Sequence, residues 1–200
     1  MTFMQVDITG SFVRRPAWWC VFIVAASACV FCAGRAHADG PGVPDYGEKA
    51  VFVRHLATFV EWPVTAFADE TTPFVVGVVG DDPFGSTLDE VVANEYVGRR
   101  PFLVRRFKRG DDLTECHLLF VSNSEMPHLG YIWKALRNRP VLTVGDSPGF
   151  VADGGMVGIC RRSDQLALAV NVRALSGVQL KASSKLLEVA TVVGKPEAAP

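Results

Sequence analysis

The chain is short of the residue types that do chemistry. It has 5 cysteines and 4 histidines in 200 residues, no H-x-x-x-H spacing, and a C-x-x-C only at Cys29–Cys32, inside the apolar amino-terminal run and with no second pair to complete a site. The ligand patterns of zinc sites are therefore missing. An excess of positive charge is missing too, since Lys+Arg 20 stands against Asp+Glu 21. Counterion release from a nucleic acid has nothing obvious to work with, so nucleic-acid binding is not expected. No repeat of 20 to 50 residues and no low-complexity block is visible, which excludes solenoids and fibrous arrays. Disorder is excluded by what is present: 49% apolar residues, 13 of them Phe, are enough to offset the ordering entropy of one globular domain.

The longest uncharged run lies at the amino terminus. Arg14 and Arg15 precede Ala17 to Cys32, and Ala36-His37-Ala38 follows. A positive start, an apolar stretch and an A-x-A site in that order predict a cleaved export signal over residues 1–38. A retained anchor is the alternative, although Pro16 and Arg35 bracket a run near the lower limit for crossing a bilayer. Pro16-Ala17 after the arginines favours the general secretory route over twin-arginine export, and Cys29 and Cys32 sit in poor lipoprotein contexts. Cleavage after Ala38 leaves 17 basic against 20 acidic residues, a net charge of −3, and removes Cys20, Cys29 and Cys32. Cys116 and Cys160 alone then enter an oxidising compartment, as one bridge or two free thiols.

Residues 39–45 read as a Gly/Pro-rich lead-in, 46–194 as the domain and 195–200 as a tail. Val51, Phe52, His55, Leu56, Phe59 and Val60 recur at helical spacing up to Pro63. Phe74 to Gly80 reads as a strand buried on both faces, leading through Asp81-Asp82 into a helix from Pro83 to about Ala93. Phe102–Phe107, Leu118–Ser122 and Pro140–Gly145 read as further strands, with a helix over Leu129–Arg137. Met156–Cys160 and Leu166–Val172 read as a hairpin turning at Arg161-Arg162-Ser163-Asp164, and about Arg173 to Val193 as helical, broken near Gly177, with Ser183 a cap. The alternation predicts a single three-layer α/β domain with a mostly parallel central sheet, flanking helices and an antiparallel edge hairpin.

Each constellation that suggests chemistry has an ordinary competitor. Gly145-Asp146-Ser147 after a strand resembles the nucleophile motif of GDSL-type hydrolases, but no histidine follows Ser147 and Pro148-Gly149 opposes a helix there. Gly77, Gly80 and Gly85 lack the Lys-Ser/Thr of a phosphate loop, and Asp81 and Asp82 would repel a phosphate. Cys116-His117 would point to opposite faces of a strand, which disfavours a shared metal or a catalytic pair. Two buried small residues explain the cysteines better than a redox role. Turn capping explains Asp81-Asp82 and Asp111-Asp112. The expectation is no enzyme, no metal and no cofactor.

Several segments taken in order resemble the YfiR family of periplasmic regulators. They are Phe59-Val60-Glu61-Trp62-Pro63, Val78 to Gly85, Gly98-Arg99-Arg100-Pro101, Cys116 to Ser122, Val141 to Val144 with Gly149-Phe150, Gly154 to Val157, Val170-Asn171, and Leu180 to Leu187. The resemblance implies an exported α/β domain, often a homodimer, that binds the periplasmic part of an inner-membrane diguanylate cyclase or related sensor. So bound, it keeps cyclic-di-GMP and the biofilm state low, and an outer-membrane lipoprotein can sequester it. In the family, cysteine pairs carry redox control. Cys116 and Cys160 fall on two of those positions without their expected partners, so both are expected to remain reduced. Partner or ligand contacts are expected among Trp62, Asp81, Tyr96, Ser122, Trp133, Asp146 and Phe150. The alternative is a small-molecule binding protein with its ligand at the carboxyl ends of the parallel strands, near Asp81, Ser122 and Asp146.

Overall fold

The computed structural model describes residues 46–162 and 165–194. The export signal, the lead-in, the tail and the hairpin tip Ser163-Asp164 lie outside the described residues. The chain opens with α1 (Tyr46–Phe59), whose Ala50, Val53, Leu56 and Ala57 form a buried stripe. It continues through β1 (Val60–Glu61), β2 (Phe74–Val79), α2 (Thr87–Val92), β3 (Tyr96–Val97), β4 (Arg100–Phe107), β5 (Leu118–Val121), α3 (Leu129–Ala135) and β6 (Leu142–Gly145). The rest is β7 (Val157–Arg162), β8 (Gln165–Asn171), α4 (Val172–Gly177), β9 (Lys181–Ala182), α5 (Ser184–Val189) and β10 (Ala190–Val193).

Eight strands form one mixed sheet in the order β10-β8-β7-β6-β5-β2-β4-β3, and β1 pairs with β9 beside it. Neighbours run parallel except β7 with β8 and β3 with β4. Every residue of β2, β5 and β6 is buried, because helices cover both faces there. Phe74, Val76 and Val78 point into the cluster under α1, α2, α4 and α5, while Val75 and Val79 point into a second cluster under α3 with Leu129, Ile132 and Phe150.

Three expectations need correction. Gly85 has φ +56, so the helix expected from Pro83 cannot propagate and starts only at Thr87. The segment expected to be helical to Val193 divides instead. Gln179, at φ 63, ends the first part, and Thr191-Val192-Val193, β-branched in sequence, forms β10 against β8. The hairpin of β7 and β8 consequently lies one strand inside the edge.

Candidate functional site

The order in which the sheet is built puts a crevice at its carboxyl end. From β2 the chain crosses under α2 to β4 on one side, and from β5 it crosses under α3 to β6 on the other. The loops after β2 and β5 therefore diverge, and such a switch point is where open α/β sheets place their ligands. Three expected residues come together on these adjacent strand ends: Asp81 after β2, Ser122 after β5 and Asp146 after β6.

The crevice is tightly tied. Gly80 has φ +90, and a Cβ there would lie 2.4 Å from Ser124 Oγ and 2.8 Å from Glu125 Cγ. Asp81 is exposed, and its backbone N–H donates to Ser124 Oγ at 2.9 Å. Ser122 is buried. Asp146 is held from α1, where Lys49 Nζ donates to its Oδ2 and Tyr46 Oη donates to the same oxygen at 3.1 Å. Both side chains of the Lys49–Asp146 pair are about nine-tenths buried, at 10% and 9% exposure. Lys49 also lies 4.3 Å from the Tyr46 ring centroid. Burial, and then the Asp146 charge and hydrogen bond, push the Tyr46 hydroxyl up to about 12, so it stays a donor.

Lys49 and Tyr46 were not expected at the site. The signal was legible: Lys49 precedes Val53 and Leu56 by four and seven residues, on the buried stripe of α1. A lysine there must find a counter-charge.

The hydroxyl of Ser147 is not paired with a base. Ser147 Oγ donates to the amide oxygen of Asn123 at 3.0 Å, and an amide oxygen is no general base. The Asp146 carboxylate is already engaged by two donors. Among the described residues no group of three or more His, Cys, Asp or Glu could hold a metal ion. A concavity lies on the other side of α1, a groove of about 390 Å³ lined by Glu48, Val51, Phe52, Gln165 and Leu166. It is of ligand size, but Asp81, Ser122 and Asp146 do not line it.

The remaining expected residues are scattered. Trp62 is half-buried, with its ring edge-on to Phe74 at 4.9 Å and its Nε1 donating to His117 O at 3.3 Å. Tyr96 is 59% exposed on β3, at the far edge of the sheet. Trp133 Nε1 donates to Asp153 O at 2.9 Å. Phe150, expected at a contact surface, is 1% exposed. Its ring is slotted between Gly145 and Gly155, where added Cβ atoms would come within 2.7 Å and 2.3 Å of it. Gly155→Ala would also meet the Phe150 carbonyl at 2.7 Å, so a loss of about 1–3 kcal/mol is expected. An unshifted urea midpoint would contradict the slot.

The two thiols are free and differ in kind. Cys116 is buried under α3, its Sγ donates to Leu113 O at 3.1 Å, and burial pushes it up to about 12, which leaves it an unreactive thiol. Cys160 is exposed on β7, which corrects the expectation that both are buried. The strand β6 separates β5, which Cys116 precedes, from β7. His117 turns to the face opposite Cys116, stacking on Phe67 at 4.5 Å.

No helix among the described residues is long and apolar enough to cross a membrane. The sequence profile of the YfiR/HmsC-like family matches residues 46–191, from the first turn of α1 into β10. No curated protein matches the chain.

Proposed function

The chain belongs to the YfiR/HmsC-like family, and from that premise we propose that it is a periplasmic regulator without catalytic activity. It binds the periplasmic part of an inner-membrane signalling protein, represses a diguanylate cyclase and so lowers cyclic-di-GMP. The observation that carries this reading is the family match over 46–191, nearly all of the described domain. The closed crevice supports it, because Asp146 and Ser147 are engaged by Lys49, Tyr46 and Asn123 in bonds that leave no base for a nucleophile. In this reading residues 1–38 direct export, a homodimer is the working unit, and an outer-membrane lipoprotein competes for it.

Repression is a population shift. To move a cyclase from 1:99 to 99:1 in favour of its inactive form, the regulator must bind that form more tightly by about 5.5 kcal/mol. Deleting the gene is expected to raise intracellular cyclic-di-GMP, and restoring it with residues 1–38 intact is expected to reverse the rise. Restoring a chain without them should not. No change on deletion would reject repression and favour the second reading, ligand capture, for which the groove of about 390 Å³ beside α1 is the supporting observation.

A further inference from the structure

The two edges of the sheet are built differently. At one, β3 is two residues long, and β4 beyond it carries Pro101, Arg105 and Arg106. Arg106 is tied to Asp82 and Asp89, and Arg105 to Glu115. Proline and fixed charges on an edge deter another strand from joining it. At the opposite edge β10 pairs with β8 from Ala190–Leu168 to Val193–Asn171, and among the described residues no strand lies on its outer side. Ala190-Thr191-Val192-Val193 carries no charge and no proline. Val193 is 40% exposed, and Val189 just before the strand is 72% exposed. In a parallel ladder alternate residues turn their N–H and C=O outward, so β10 presents donors and acceptors to solvent beside bare valines.

We infer that β10 is the docking edge for a second copy of this chain, the two β10 strands running antiparallel about a two-fold axis so that the two sheets become continuous. Charge selects the occupant. Joining β4 to β4 would set Arg105 and Arg106 against their own copies. Joining β10 to β4 would be head-to-tail, would bring a bare strand to an edge carrying proline and arginine, and would leave a free end on every copy for further growth. Joining β10 to β10 opposes no charges, closes on itself and leaves only the two guarded edges outside. The inference rests on the proposed function only in naming the interface of the homodimer placed there; it does not require a cyclase.

The test uses the full chain, expressed with its own amino terminus, exported by the host and purified. Light scattering is expected to give twice the mass of one chain at micromolar concentration. Thr191→Lys with Val193→Lys puts like charges across the axis while changing only side chains that are exposed in one copy. The mass should halve, with circular dichroism unchanged. Leu103→Lys, on β4, should leave the dimer intact. In the unmodified chain, amide exchange at 190–193 should slow as concentration rises. A monomer at every concentration, a dimer that survives the double variant, or exchange at 190–193 that ignores concentration would each overturn the inference. A monomer that still lowers cyclic-di-GMP would overturn the pairing and leave the regulator reading standing.

Discussion

Asp146→Ala is expected to lower the unfolding free energy by about 3–5 kcal/mol, because it strands the Lys49 ammonium in a site where its side chain is 10% exposed. For a chain of this size that is a fall in Tm on the order of 10 °C. The Tyr46 hydroxyl loses its acceptor in the same variant. The loss belongs to the unpaired charge and not to the pair, and a second variant separates the two. Lys49→Met with Asp146→Leu removes both charges and restores apolar packing between α1 and the end of β6. Replacements of that kind are often neutral, so the double variant should recover most of what Asp146→Ala loses. Urea unfolding of the three chains decides the matter. If the double variant is as unstable as the single one, the charge is not what costs the stability. A double variant that folds well also opens the crevice to a functional test, since it removes Lys49 and Asp146 from the strand ends while leaving the domain intact.

What the sequence could show follows from how local each signal is. The strands β2, β5 and β6 are short continuous apolar runs between turn residues, and buried parallel strands read that way. The helix α1 is legible from its period, but its buried stripe falls on Ala50, Val53, Leu56 and Ala57, while Val51 and His55, read from spacing as part of the apolar face, are exposed. The carboxyl-terminal segment misleads because Leu175 and Leu186, 11 residues apart, fit three turns of one helix over a stretch where the left-handed Gln179 and the β-branched 191–193 break it. The two features that shape the site are non-local. Lys49 and Asp146 are 97 residues apart, and no pattern in one segment names the partner in the other. Phe150 reads as an exposed aromatic because it sits in a Gly-rich loop, yet Gly145 and Gly155 are bare in order to admit its ring. The glycines were visible in the sequence; that they faced the same ring was not.

Acid is expected to weaken the fold through His117, a residue that holds three segments together. Its Nδ1 accepts from Val75 N–H at 3.0 Å and its Nε2 lies 3.1 Å from Ala66 O, which assigns the hydrogen to Nε2 in a neutral ring. Its carbonyl accepts from Trp62 Nε1 and from Leu142 N–H. The ring packs against both Phe67 and Phe74, at 4.5 Å and 5.3 Å between centroids, and Arg100 lies over the Phe67 ring, 3.8 Å from its centroid. A second proton would sit on Nδ1, facing the Val75 N–H, so two donors would oppose each other. Burial first, and the Arg100 charge in addition, hold His117 below its ordinary range, against a smaller opposing effect from the Ala66 bond. The unfolded chain takes up this proton near pH 6.5 and the folded chain does not, so the unfolded state binds more protons across that window and stability rises with pH. The contribution is whole above about pH 6.5 and is lost as pH falls through the lower value of the folded state. His117→Asn keeps an acceptor for Val75 N–H but cannot titrate. It should cost about 1–3 kcal/mol at neutral pH, where the Ala66 bond is lost, and the gap to the parent chain should narrow as the solution is acidified. Taking the difference between the two profiles cancels the contributions common to both chains. Parallel profiles from pH 7 to pH 5 would remove His117 as the source. Narrowing profiles, with amides of residues 62–75 exchanging first in acid, would mean that the segment from β1 to β2 loosens when this one ring is charged.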